Sequence, residues 1–365
     1  MWWIYSVTIV ICALYFVLIS VFRYGWKHLK PFVPRGTELI RAKISVVIAC
    51  RNEDEHVMQL IGCLAQQSHQ NFELIFVNDH STDATRNYIQ KAQETYPKIQ
   101  LLDAIGFGKK NALKEGILSS NGELIITTDA DCLPSYHWIE SIASFYTKYP
   151  GDLIICPVKL SWKKGLFSEL QILEFTTLIA SAAGSAGAGM PVLCNGANLA
   201  FTRKAWLRSQ NDQHQNEMSG DDMFLLESIK KRGGVIRFLK SESAFVLTSQ
   251  AQTLGAFIKQ RRRWTSKSPA YSDWQIIYTA CVVLLVNLLF PILVAASFVD
   301  PVVSILLVFV FLFKYCIDTV FLYSVRNFFQ LSNIWIYSLL LSVFYPFYIS
   351  FVAISSLTVQ SKSWK

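Results

Sequence analysis

Lys43-Ile-Ser-Val-Val-Ile-Ala-Cys50 is a short β-branched run, the pattern of a strand buried in a parallel sheet. Arg51-Asn52-Glu53-Asp54-Glu55 follows at once and predicts a helix reaching about Gln67. Phe72-Glu-Leu-Ile-Phe-Val77 repeats the run and gives way to Asn78-Asp79-His80-Ser81-Thr82-Asp83, again ahead of a helical stretch. Residues 99–103 read as a third strand. Glu123-Leu-Ile-Ile-Thr-Thr128 reads as a fourth, ending in Asp129-Ala130-Asp131, with Pro134 taken to open the next helix. Strands alternating with helices predict an α/β fold with a parallel sheet. Ligands of such sheets bind beyond the carboxyl ends of the strands, and the three polar tripeptides at 51–53, 78–80 and 129–131 fall there.

On either side of this region the composition changes. The first 22 residues carry no charged side chain, and residues 275–365 carry only Asp300, Lys314, Asp318, Arg326, Lys362 and Lys365. Over the whole chain 16% of residues are charged, against about 25% in an ordinary soluble domain. Three parts follow: a transmembrane helix in 1–22, a water-facing domain in 23–274, and a transmembrane region in 275–365. The last suggests spans near 275–298, 302–324 and 333–357. The first apolar stretch has the length of a membrane span, with Trp2 and Trp3 suited to one interface. Arg23, Lys27 and Lys30 follow it, and Lys/Arg excess marks the cytoplasmic side. The domain is therefore expected in the cytoplasm, on a protein integral to the cell (inner) membrane. Lys314 and Asp318 stand four apart on one helix face, as a mutually neutralising pair in the bundle interior or as a polar contact for a lipid acceptor. The apolar, small-residue-rich segment 160–189 reads as a core helix with a flexible loop, or as an interfacial helix.

The composition excludes a disordered chain and a disulfide-stapled mini-protein. None of the eight cysteines forms a CxxC pair, so they read as small buried hydrophobes in a reducing compartment. A net charge of +8 without a long basic stripe fits anionic lipid rather than nucleic acid.

Asp129 and Asp131 carry the most chemistry. Two carboxylates one residue apart at a strand end can both reach a divalent cation. Their hard oxygens suit Mg²⁺ or Mn²⁺, which would bridge phosphate oxygens. Near the far end of the domain, Gln260, Arg263 and Trp264 share one face of a predicted helix. There Arg263 can pair with an anion and Trp264 can offer a flat apolar surface to a ligand. Arg261 and Arg262 beside them read as interfacial anchors.

These segments together resemble the membrane-bound branch of glycosyltransferase family 2, across roughly residues 40–270. Ser45 to Glu53 looks like the family's opening strand and turn. Val77-Asn-Asp-His-Ser-Thr-Asp83 is similar to its V-D-D-G-S-T-D, with Asn78 and His80 in place of Asp and Gly. Gly108-Lys109-Lys110-Asn111-Ala112-Leu113 with Gly116 matches a G-K-x-x-A-L-x-x-G helix start. Cys194-Asn195-Gly196-Ala197-Asn198-Leu199-Ala200-Phe201 resembles the donor-pocket segment G-x-N-x-A-F. Gly220-Asp221-Asp222 stands where the family usually has Glu-Asp, and Gln260-Arg-Arg-Arg-Trp264 matches Q-x-x-R-W.

The resemblance implies a GT-A fold, a Rossmann-like nucleotide-diphospho-sugar-binding domain flanked by transmembrane helices. It implies donor contacts from Ala49, Arg51, Glu53, Asp79 (to the nucleobase), Lys109, Asp129, Asn195 and Asn198, and metal ligation by Asp131 with Asp129. It implies Asp222 as catalytic base with Asp221 capping or orienting, and Gln260, Arg263 and Trp264 at the acceptor or diphosphate. The expected activity is inverting transfer of a sugar from a nucleotide-diphospho-sugar to a hydroxyl of a lipid or lipid-linked glycan at the cytoplasmic membrane face. A processive polysaccharide synthase of the same family is the alternative. From another class, a non-catalytic nucleotide-binding membrane protein is opposed by the carboxylates at 129, 131 and 222.

Overall fold

A computed structural model describes residues 2–36, 39–210 and 221–356, with the backbone alone at Trp2, Trp3 and Asp221. Gly220, Lys362 and Lys365 lie outside the described residues, as do the side chains of Trp2, Trp3 and Asp221. The chain divides into two compact units. Of the described residues, one gathers Leu29–Ser161 and Leu193–Ser249; the other gathers residues 2–28, Trp162–Val192 and residues 250–356.

The first unit is built on a seven-stranded sheet. In chain order the strands are β1 (Ile44–Cys50), β2 (Glu73–Asn78), β3 (Ile99–Asp103), β4 (Leu124–Thr127), β5 (Leu133–Pro134), β6 (Leu153–Ile155), β7 (Val158–Leu160), β8 (Leu199–Thr202), β9 (Ile236–Phe238) and β10 (Val246–Thr248). The large sheet runs β3-β2-β1-β4-β8-β6-β9, and β5-β10-β7 form a small second sheet. Strands β1 to β4 are parallel, as their apolar runs predict, and every residue of β1 is buried. Strand β8 departs from that pattern and lies antiparallel between β4 and β6. The sheet is therefore mixed, and residues 195–198, which lead into β8, meet the end of β4.

Two local expectations are corrected. No helix starts at Arg51: Asn52 takes a left-handed conformation (φ 52°), and the helix begins only at Val57. Pro134 does not open a helix either; it ends β5, and the helix begins at Trp138.

The second unit is helical. Among the described residues five helices are long and apolar enough to cross a membrane: Ile4–His28, Leu166–Gly187, Trp274–Ser297, Val303–Phe329 and Ile334–Ser356. The last three match the sequence expectation closely. The first continues through Arg23 and Lys27 to His28, because helical backbone bonding does not stop where the apolar run does. The segment 160–189 begins at the end of β7 and from Trp162 onward belongs to the helical unit. Leu166–Gly187 is one continuous helix in contact with the first. At their crossing a Cβ on Gly184 would overlap the carbonyl oxygen of Phe22, and one on Gly25 the carbonyl oxygen of Gly184. Such backbone proximity is the use of small residues between apolar helices. Lys314 and Asp318 pair at 2.5 Å, and Tyr15 donates to the same carboxylate at 2.6 Å, so the two charges neutralise each other inside the unit.

Candidate functional site

At the carboxyl end of β2 the chain makes a tight polar turn. Asp79 is fully buried and accepts from the backbone N–H of Gly108 at 3.0 and 3.1 Å; Arg51 stands 3.6 Å from its Oδ2. Gly108 can aim its N–H there because its φ is +93°, a conformation costly for any residue with a Cβ. His80 takes φ 54°, which accounts for the glycine usual at that position in the resembling motif. Its ring stacks on Phe107 at 4.0 Å and approaches Asp79 at 3.1 Å. Sequence alone implies a carboxylate offered to a nucleobase. In the structure Asp79 is covered, and the 106–108 loop and His80 occupy its oxygens. Glu53 and Ala49 are buried behind this end of β1, with the N–H of Glu53 donating to Thr85 Oγ1 at 2.7 Å.

One strand over, beyond β4, Asp129, Asp131 and Cys132 bring their ligand-type atoms within 4.8 Å of one another. Lys109, at the start of the helix Lys109–Ser119, pairs with Asp129. Burial, and then the charge of Asp129, push the Asp131 carboxyl above its usual range, against the pull of Lys109. Two crowded carboxylates, one of them partly desolvated, form a site that a divalent cation relieves. Both fit Mg²⁺ or Mn²⁺ as oxygen donors. Burial and the same two carboxylates push the Cys132 thiol well up, so it stands beside them as a neutral group. Its place in the cluster follows from adjacency in sequence, but its apolar context hid it.

Across the β4–β8 ladder lies the third element. Thr128 Oγ1, next to Asp129, donates to the carbonyl of Ala197 at 2.8 Å, and the N–H of Gly196 donates to Asp222 Oδ2 at 2.9 Å. Asp222 stands in the first turn of the helix Asp221–Lys231, where its Oδ1 also accepts from the N–H of Met223 at 2.8 Å. The antiparallel β8 thus carries Asp222 to the sheet end that holds Asp129 and Asp131. Asn195 caps the short turn after it, its Oδ1 accepting from Ala197 N–H at 3.0 Å. Asn198, expected at the donor, is held by the fold on every side that its amide offers. It is fully buried, its Nδ2 donates to the carbonyls of Pro157 (2.7 Å) and Ala244 (2.9 Å), and its Oδ1 accepts from Trp138 Nε1 (2.8 Å). It ties the turn to the second sheet. Trp138 carried no sequence signal for this.

Gln260, Arg263 and Trp264 belong to the helical unit, on the helix Leu254–Thr265 that Thr253 caps. Their neighbour Arg261 is no interfacial anchor. It is buried, and its Nε donates to Glu174 Oε1 at 2.9 Å. Glu174, a carboxylate within an apolar helix, was the visible sequence signal for a buried partner.

Comparison with known proteins gives a consistent set. The sequence profile described as "Glycosyl transferase family 2" matches residues 45–199, and that described as "Glycosyl transferase family group 2" matches residues 124–354. Poly-beta-1,6-N-acetyl-D-glucosamine synthase of Staphylococcus aureus is 23% identical over 263 residues, 70% of this chain and 62% of that protein. An uncharacterized glycosyltransferase of Haemophilus influenzae is 26% identical over 106 residues, 29% of this chain and 33% of that one. The chain thus spans less than two thirds of either relative. The solved structure of a Pyrobaculum calidifontis mannosyltransferase, in complex with GDP-Man and Mn²⁺, superposes with a TM-score of 0.57 at 16% identity, over 93% of this chain and 98% of that one. The last likeness shows the shared GT-A fold.

Proposed function

The chain belongs to glycosyl transferase family group 2 and is a glycosyltransferase, and from that premise we propose that it moves a sugar from a nucleotide-diphospho-sugar to a hydroxyl of a lipid or lipid-linked glycan. The observation that supports this reading is a pair of hydrogen bonds through one turn: Gly196 N–H donates to Asp222, and Thr128, next to Asp129, donates to the carbonyl of Ala197. Two functions separate among the carboxylates. Asp129 and Asp131 have the donor set of a divalent-cation site, and Mg²⁺ or Mn²⁺ bound there supplies charge neutralisation for a diphosphate. Asp222, oriented by two backbone N–H groups, is assigned as base. It takes the proton of the acceptor hydroxyl while that oxygen bonds to the anomeric carbon. The bond from that carbon to the diphosphate oxygen breaks, and the nucleoside diphosphate leaves with the electron pair. Attack opposite the leaving group inverts the anomeric centre. Lys109 holds Asp129 in place and adds positive charge next to the diphosphate. Arg51, Asp79 and the 106–108 loop are assigned to the nucleoside, with His80 and Phe107 moving aside for the base. For Gln260, Arg263 and Trp264 the assignment to acceptor and diphosphate rests on the motif.

The membrane assignment is supported by the five apolar helices, and the cytoplasmic side by Arg23, Lys27 and Lys30 after the first. The test of the chemistry is Asp222→Asn in purified protein. Transfer is expected to fall by at least about 10²-fold, with donor binding retained. Turnover at the parental rate overturns the base assignment.

A further inference from the structure

The helix Leu166–Gly187 carries five buried polar residues, and three of them, Ser168, Gln171 and Glu174, follow one another at intervals of three. That spacing makes a slanted row along one side. Every member of the row engages the segment that holds the Q-x-x-R-W motif. Gln250 Nε2 donates to Ser168 Oγ at 2.8 Å. Gln171 closes a reciprocal pair with the backbone of Ala251, donating to its carbonyl at 3.2 Å and accepting from its N–H at 3.1 Å. Glu174 takes the Arg261 guanidinium with both oxygens, and Tyr348 donates to it at 3.1 Å.

Arg261 occupies an unspecified position of the motif, yet it touches two of the specified ones. Its Nη1 donates to Gln260 Oε1 at 2.7 Å, and its guanidinium lies 4.3 Å from the Trp264 ring and 4.5 Å from that of Phe257. The two rings leave the guanidinium plane little freedom, and the two-pronged grip of Glu174 fixes the remaining rotation. A buried ion pair of this kind contributes little net stability, because desolvation offsets the attraction. Its geometry, by contrast, determines how the helix is turned about its own axis.

We propose that the Ser168–Gln171–Glu174 row, acting through Arg261, sets the rotation and register of the helix Leu254–Thr265. Glu174 and Arg261 are then positioning residues for transfer. This rests on the reading that Arg263 and Trp264 serve the reaction. The experiment replaces both charges with apolar groups of similar length, Glu174→Met with Arg261→Met, in the full chain in lipid. The unfolding temperature stays at or near the parent's, donor KM is unchanged, and kcat for transfer falls about 10²-fold. A parental kcat overturns the proposal. If the pair does not fold, Glu174→Asp decides by the same kcat measurement: it keeps the charge but withdraws the grip by one methylene, so a parental kcat again overturns it. Arg263→Ala run alongside separates the two claims. Loss of transfer in Arg263→Ala with a parental kcat in the double variant sinks the positioning role alone. A parental kcat in Arg263→Ala sinks the motif reading beneath it.

Discussion

Asp131 shows how a single carboxylate is made useful by its surroundings. Burial and the neighbouring Asp129 work against its ionised form. Asp131→Ala should therefore weaken metal-dependent donor binding by at least about tenfold, and leave the residual binding measured in chelator unchanged. Titration of donor with and without Mn²⁺ reads both. Glu73, at the opposite end of the strands, is a structural counterpart. Burial alone would raise its pKa, but the Ser45 hydroxyl, both N–H groups of Asn121 and the backbone of Gly122 hold it below the ordinary carboxylate range. A group whose folded pKa is depressed stabilises the fold above its unfolded value, and that contribution disappears as the pH falls through the folded value. Glu73→Gln should thus cost about 1–2 kcal/mol at neutral pH, and the gap to the parent should close below about pH 4. Thermal unfolding across pH checks both the sign and the window.

The elements differ in how far their sequences reveal them. Strands β1, β2 and β4 are legible because apolar β-branched runs ending in polar clusters leave few other structures open, and the acidic cluster follows from where β4 stops. The outer apolar helices are legible for the same reason, since length and composition decide them. Strand β8 is not legible in direction, because a four-residue strand has the same pattern parallel or antiparallel. Yet that direction sets the 195–198 turn, to which Asp222 is bonded, at the end of β4. Leu166–Gly187 was hidden in another way. Its buried Gln171 and Glu174 break the apolar pattern, and their side chains find partners on segments 80 or more residues later. Its contact with the first helix depends on absent side chains. Gly184→Val should force the two backbones apart and cost about 1–3 kcal/mol, measurable as a lower unfolding temperature in detergent. Unchanged stability would show that the crossing tolerates a side chain.

For the molecule as a whole, the open question of product size has a direct readout. The proposed transfer to a lipid or lipid-linked hydroxyl predicts one added sugar. A processive synthase of the same family is the alternative reading. Incubation with labelled donor and a lipid acceptor should give a single labelled band, whereas a ladder of products would establish the synthase. The interleaving of the two units has a separate bearing on how the protein can be handled. The polypeptide passes from one to the other after His28, after Ser161, after Val192 and after Ser249. Strand β8 joins partners translated before the intervening helix, so the ribosome must deliver that helix before the sheet can close. A nuclease-trimmed gene that drops both ends would still encode an apolar helix between the two segments of the sheet-bearing unit. Isolating the sheet-bearing unit therefore requires removing residues 162–192 as well as both ends.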